Sequence, residues 1–157
     1  MTDANKKIEL FRKWFTAPGH FLLFFRIAAW AVLIPLLYRF LSLPSLMRVL
    51  TPDKPISRFT PEAAADTADR IRAYVVRILI QNPKNIRRMC LKRSLVLYRF
   101  LRLYGIPSVF FLGVRKEEGK IVGHSWVEVE GEHFCDPMAE VSYTVTYSYP
   151  EREKPEK

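Results

Sequence analysis

The stretch RRMCLKRSLVLYRFLRLYG, residues 87–105, decides the fold because a cysteine opens a long and strongly apolar helical pattern. Apolar side chains cover most of the circumference of this helix, which is typical of a helix buried on most sides. Gly105 and Pro107 follow the last apolar turn and form a common C-terminal stop signal. The sequence therefore predicts a central buried helix that begins at Cys90.

The start of a helix is a position where a thiol loses its proton more easily. The first N–H groups of a helix have no intrahelical acceptor, and with the helix dipole they stabilise a thiolate. Positive charge nearby comes from Arg87, Arg88, Lys92 and Arg93. Taken alone, the stretch slightly favours a small buried cysteine without reactivity. A nucleophilic role for Cys90 depends on partners elsewhere in the chain.

Length and composition limit the chain to one hydrophobic core with at most a small appended element, since it has 157 residues. Two cysteines are too few for a disulfide framework, so we expect a reducing, cytoplasmic setting. The net charge of +9 is uneven, because residues 84–116 contain no acidic side chain. Basic surfaces attract nucleic acids, anionic lipids or acidic peptides. No nucleic-acid-binding motif is present, and we predict no nucleic-acid partner.

Residues 1–50 predict an apolar helical region ahead of the main domain. Residues 21–43 are long and apolar enough to cross a bilayer, but Pro35 and two arginines interrupt them. We favour a buried or surface-lying helical pair over a bilayer span, and residues 1–18 predict a short amphipathic helix for a partner or a membrane surface. A peripheral membrane contact is thus one expectation. No small-residue cleavage site follows, so a signal peptide is not indicated.

Residues 51–149 predict the main domain, and residues 150–157 a disordered, solvated tail. A proline-rich connector leads to a helix with Thr60 as its N-cap. After the Cys90 helix, the β-branched and aromatic runs predict strands at residues 108–116, 121–128, 132–136 and 141–149. Helices followed by an antiparallel meander indicate an α+β fold.

Two side chains on the predicted sheet can act together with the cysteine. If residues 129–131 form a three-residue hairpin loop, His124 lies directly opposite Asp136. Opposed residues of an antiparallel pair have Cβ atoms ~4.5–5.5 Å apart, so the carboxylate can reach the imidazole. Cys90, His124 and Asp136 are then the residue types of a nucleophile, a base and an orienting group, with helix N–H groups as oxyanion donors. A two-residue loop would shift the register and weaken this pairing.

The same motifs resemble those of a known family. They are CLKRSLVL from Cys90, GIP and FLGVRK within residues 105–116, HSWVEVEG from His124, and DP at Asp136. In this order they resemble the transglutaminase-like cysteine protease fold, and more narrowly the lasso peptide maturation protease, often called the B2 protein. The resemblance covers about two thirds of the chain, from the Thr60 helix to Asp136.

This resemblance implies that Cys90, His124 and Asp136 cut the leader from a ribosomally made precursor peptide. It further implies a separate ATP-dependent cyclase that closes the macrolactam. Leader binding would fall to a separate winged-helix (RRE-type) protein, because this chain lacks the strand-rich pattern of such a domain. We expect no cofactor. Two alternatives stay open: an inactive peptide-holding or membrane-docking subunit, and a transglutaminase-type acyl transferase that uses the same thioester chemistry.

Basic and aromatic residues near the cysteine and histidine have several interpretations. Arg87 and Arg88, beside the nucleophile, are predicted to contact the precursor or a partner. Trp126 shares the face of the histidine and is either a core residue or a wall of the binding site. Arg99 and Arg102 are expected on a solvated edge of the helix.

The remaining polar candidates are assigned to packing or solvent. Strand alternation places His133 and Cys135 on the face opposite Asp136, so no metal site is predicted. Ser94 is interpreted as a small helix-packing residue. Glu128 is the substitute orienting group if the register of the hairpin shifts.

Overall fold

The computed structural model describes residues 18–56, 60–79, 89–136 and 141–151. Within these ranges the chain has helices α1 (Pro18–Phe40), α2 (Leu43–Leu50), α3 (Pro61–Leu79) and α4 (Cys90–Leu103). The strands are β1 (Ser108–Glu117), β2 (Lys120–Val129), β3 (Glu132–His133) and β4 (Thr144–Tyr149). The predicted α+β class is confirmed. The helix predicted at residues 1–18 and most of the tail at 150–157 lie outside the described residues.

Helix α4 is the central element of the core, as the sequence predicts. Its buried residues are Arg93, Ser94, Leu95, Val96, Leu97, Tyr98, Phe100, Leu101 and Leu103. At its end Gly105 takes a φ of 74°, and the N–H of Ile106 donates to the Leu101 carbonyl at 2.9 Å. A left-handed glycine with this backbone bond is a common helix stop. The predicted end of the helix is thereby confirmed.

The sheet has the strand order β3-β2-β1-β4, with every pair antiparallel. The antiparallel meander expected for the first three strands is confirmed, and the further strand β4 pairs with β1 at the far edge. Gly113 of β1 permits this pairing, because a Cβ there would lie 3.0 Å from both the Tyr143 Cβ and the Thr144 carbonyl oxygen. The register of β1 and β4 shifts at this point.

Helix α1 runs without interruption through Pro35, so the helical pair expected within residues 21–43 is wrong. Its inner side belongs to the same hydrophobic core as α4 through Leu23, Ile27, Ala31 and Ile34. Among the described helices, α1 is the one whose length and apolar composition would suffice to cross a membrane. Because the inner side of α1 packs into the protein core, the helix is not surrounded by lipid on all sides. The domain division at residues 50 and 149 stays a prediction.

Arg99 fixes the N-terminal helices onto α4. Its guanidinium carbon lies 3.6 Å from the centre of the Trp30 ring, and Nη1 donates to the carbonyls of Val49 and Leu50 at 3.3 and 3.2 Å. The last carbonyls of α2 have no intrahelical donor, and a cation satisfies both their hydrogen bonding and the helix dipole. The solvated edge predicted for Arg99 is therefore wrong.

Candidate active site

Cys90 is the first residue of α4 and is half-buried. Burial raises the pKa of its thiol, whereas hydrogen bonds with His124 and Ser125 and the charge of His124 lower it, and the net pKa is about 7 instead of 9.0. The N-terminal end of the helix dipole acts in the same direction. A substantial fraction of Cys90 is therefore thiolate at neutral pH, which is the nucleophilic form.

His124 lies on β2 and donates from Nε2 to the carboxylate of Asp136, at 2.9 Å to Oδ1 and 3.0 Å to Oδ2. The two side chains are only 5% and 1% exposed. Burial lowers the pKa of His124, but hydrogen bonds and charges from Asp136 and Cys90 raise it to about 9. Because Nε2 faces the carboxylate, Nδ1 is the ring nitrogen left for the sulfur of Cys90.

The cysteine and the histidine together favour an ion pair at rest. Between a thiol pKa of about 7 and an imidazole pKa of about 9, the cysteine is ionised and the histidine keeps its proton. Such values belong to the interacting pair rather than to either residue alone. The thiolate can attack a carbonyl carbon, and the imidazolium beside it can then protonate the leaving group.

The hairpin between β2 and β3 differs from the predicted one. Its loop has two residues, Glu130 and Gly131, with φ angles of 54° and 87°. Two successive left-handed residues are typical of the tight two-residue hairpin turn. Val129 consequently pairs with Glu132. The predicted three-residue loop, and the direct pairing of His124 with Asp136 that it implied, are wrong.

Asp136 nevertheless reaches His124 because the chain turns after β3. In the observed register, a continued strand would place Asp136 opposite Ser125 and on the face away from His124. Cys135 interrupts the strand with a φ of 57°. This left-handed residue breaks the alternation and returns the carboxylate to the histidine. The predicted contact is present, but a turn provides it instead of a cross-strand pair.

Arg93 also binds Asp136, and the sequence pattern did not assign it to the site. It lies one turn after Cys90 on α4, and its Nη2 donates to Asp136 Oδ1 at 3.2 Å. Both side chains are 1% exposed. The available signal was the three-residue spacing from the cysteine, which puts both side chains on one face of the helix.

His133 is the second unassigned partner of Asp136. Its Nδ1 lies 3.3 Å from Asp136 Oδ2. Since His133 pairs with Glu128, it shares a face with Trp126 and His124, and the prediction that it faces away from Asp136 is wrong. The Glu-Gly turn was the sequence signal for this register.

Trp126 forms a buried wall beside the histidine. It is 5% exposed. Its ring lies nearly parallel to the rings of His124, His133 and Phe111, at centroid distances of 6.0, 5.5 and 5.3 Å. Its Nε1 donates to Glu128 at 3.1 Å, so this carboxylate is paired with the indole. A direct contact of Trp126 with a substrate stays a prediction.

Helix α4 and strand β2 are tied together next to the reacting groups. The Ser94 hydroxyl donates to the Ser125 carbonyl at 2.8 Å, and both residues are buried. This bond lies one turn from Cys90 and adjoins His124 on the strand. Ser94 therefore positions the two elements, in agreement with its predicted packing role.

Other predicted features of the site are placed as follows. Arg87 and Arg88 fall outside the described residues, and their contact with precursor or partner stays a prediction. Within the part of the chain that the structure describes, no group of three or more His, Cys, Asp or Glu side chains is arranged to hold a metal ion.

Comparison with known proteins places this site in a family. Neither the search of curated proteins nor that of solved structures gave a match. The family model described as "Transglutaminase-like superfamily" matches residues 29–148, which include Cys90, His124 and Asp136. This superfamily includes cysteine proteases and acyl transferases. The match covers well over half of the sequence, and the chain therefore belongs to the transglutaminase-like superfamily.

Proposed function

We propose that this chain is a cysteine peptidase that removes the leader from a lasso peptide precursor. The observation that carries the proposal is the buried contact of His124 with Asp136 beside a thiol whose pKa is about 7. Thiolate, imidazolium and carboxylate are the groups that amide cleavage through a thioester requires. The choice of a lasso precursor rests on the motifs around Cys90, His124 and Asp136.

In this reaction the Cys90 thiolate attacks the carbonyl carbon of the bond between leader and core. The negative charge on the carbonyl oxygen is stabilised by N–H groups at the start of α4. His124 protonates the leaving amine, which frees the core peptide and leaves the leader as a thioester on Cys90. Water, deprotonated by His124, then hydrolyses the thioester. Asp136 holds the imidazole in the orientation that both steps need.

The product determines which proteins act with this chain. Cleavage gives the core peptide a free α-amine, and a macrolactam forms when such an amine attacks an activated side-chain carboxyl group. A separate ATP-dependent cyclase is therefore proposed as the next enzyme. A separate winged-helix protein is proposed to deliver the leader.

The test is incubation of the precursor with the chain, with and without the leader-binding protein, followed by mass spectrometry. We expect leader and core masses that together equal the precursor plus one water, and no cleavage by Cys90→Ala or His124→Ala. Ile121→Ser is the matched control, because this side chain is 79% exposed and lies next to the β1–β2 hairpin turn. Cleavage that persists in Cys90→Ala overturns the proposal. If an amine added to the mixture becomes attached to the leader in place of water, the result supports the acyl transferase alternative.

A membrane surface is proposed as a further contact, through the outer face of α1. This face is apolar and exposed at Phe25, Val32, Leu36 and Phe40, with exposures of 53%, 67%, 55% and 80%. At 100° per residue, Arg26 and Arg39 flank it on opposite sides. Residues 18–50 contain no acidic side chain. An apolar stripe bordered by arginines fits an anionic lipid surface, with the helix lying in the interface.

Flotation with lipid vesicles tests this contact. We expect the chain to float with vesicles of phosphatidylglycerol and phosphatidylcholine, and to float less with pure phosphatidylcholine. Val32→Ser combined with Leu36→Ser should abolish flotation, whereas Ile121→Ser should not. A native chain that stays unbound to both vesicles contradicts the proposal. Dimers that dissociate in the double variant would identify a second copy as the occupant and would also contradict it.

A further inference from the structure

We propose that Arg93 is a positioning residue that acts through Asp136 and lets Cys90 and His124 rest as an ion pair. The inference rests on the cysteine chemistry proposed above, but it does not depend on which peptide is cleaved. Arg93 touches neither the sulfur nor the imidazole in the described contacts, and its charge is not among the causes that shift the pKa of Cys90 or His124. Its contact is with the Asp136 carboxylate, so we assign its effect to that carboxylate.

The placement of Arg93 is unusual for a cation. It is 1% exposed and one of the largest fully buried side chains of the core. Burial of a charged group is strongly unfavourable unless the group is paired. Its ion pair is with Asp136, and its Nη1 has no hydrogen-bond partner among the described atoms. A core that needed only volume here would be filled at lower cost by an apolar side chain.

Charge balance gives the arginine its role. Asp136 faces Arg93 from α4, His124 from β2 and His133 from β3. With Cys90 as thiolate and His124 as imidazolium, the buried groups are two anions and two cations once Arg93 is counted. Without Arg93 the same arrangement carries a net negative charge in a poorly solvated place. The simplest relief is uptake of a proton by Asp136, the group that Arg93 contacts. A neutral Asp136 stabilises the imidazolium less, and the thiolate then loses the cation that favours it.

The geometry of the turn gives Arg93 a second role. Asp136 lies in a turn beyond β3, after the left-handed Cys135, so no ladder of the sheet holds it. Arg93 ties this turn to α4, the helix that also carries Cys90. One helix therefore sets both the position of the sulfur and the position of the carboxylate that orients the imidazole.

The test is the pH dependence of Cys90 alkylation by iodoacetamide, with the Cys90 peptide quantified by mass spectrometry. We expect Arg93→Gln to raise the midpoint of alkylation by about one pH unit from its native value of about 7, and hence to slow the reaction at pH 7 about fivefold. Arg93→Lys should restore part of the shift. Arg102→Gln is the matched control, since it removes a positive charge from the same helix without touching Asp136.

A double-variant comparison separates a positioning role from general stabilisation. If Arg93 acts through Asp136, the midpoint of Arg93→Gln with Asp136→Asn should equal that of Asp136→Asn alone. Additive shifts, or an unchanged midpoint in folded Arg93→Gln, overturn the inference. Should Arg93→Gln fail to fold, Arg93→Lys takes its place in the same comparison, and a midpoint of Arg93→Lys equal to that of the native chain overturns the inference. No peptide is used, so failure to cleave a precursor would refute the proposed function and leave this result intact.

Discussion

His124 Nε2 donates a bifurcated hydrogen bond to the two carboxylate oxygens of Asp136, at 2.9 and 3.0 Å, although Asp136 does not lie on a strand that faces the histidine. The bond depends on a turn at Cys135, where the backbone is left-handed, and on a buried arginine from the cysteine helix. The site is thus assembled from one helix, one strand and one turn. Each of these can be perturbed separately.

The thiol should titrate near neutral pH. With a Cys90 pKa of about 7, its alkylation by iodoacetamide should reach half of its maximal rate near pH 7. His124→Ala removes a hydrogen bond and a positive charge that favour the thiolate, so the midpoint should move up toward the ordinary value of 9.0. A midpoint near 9.0 in the native chain would contradict the assigned contact.

Peptide cleavage should have a bell-shaped pH profile. Activity requires a cysteine that has lost its proton and a histidine that has kept it, so cleavage should rise through about pH 7 and fall through about pH 9. Initial rates at constant ionic strength measure the profile. A rate that keeps rising above pH 9 would show that His124 does not serve as the acid.

The turn at Cys135 should control the position of the Asp136 carboxylate. Glycine adopts a φ of 57° without strain, so Cys135→Gly should retain folding and Cys90 reactivity. A β-branched residue is costly there, and Cys135→Val should slow Cys90 alkylation at pH 7 and lower stability by about 1–3 kcal/mol. Urea unfolding and alkylation rates report the two effects. Equal behaviour of both variants would mean that the turn does not position Asp136.

The bond between α4 and β2 should contribute measurable stability. Ser94→Val removes the hydroxyl donor and leaves the buried Ser125 carbonyl without that hydrogen bond. The free energy of unfolding should fall by about 1–3 kcal/mol. Ser94→Ala should cost less, because the smaller side chain leaves room for water. Urea denaturation of both variants checks the difference, and unchanged midpoints would show that packing alone holds the two elements together.

Much of this site could be predicted from local sequence patterns. The apolar run after Cys90 and its glycine stop predicted α4, and strand patterns with ordered motifs brought His124 and Asp136 toward it. The register was misread because Glu130 is an uncommon residue in a left-handed turn, so the two-residue loop was not preferred. Arg93 and His133 were missed because their partner, Asp136, is positioned by the left-handed turn at Cys135. The three-residue spacing from Cys90 and the Glu-Gly turn could place the two residues on the correct faces, but not against this carboxylate.

The central claim, that Cys90 is the nucleophile toward a peptide bond, is tested most directly by trapping the acyl-enzyme. The native chain is incubated with precursor and leader-binding protein, quenched in acid, and analysed by intact mass and peptide mapping. We expect an adduct of the leader on Cys90, labile to hydroxylamine and absent from Cys90→Ala. Release of the leader without any adduct, at equal rates in the native chain and in Cys90→Ala, would contradict the account.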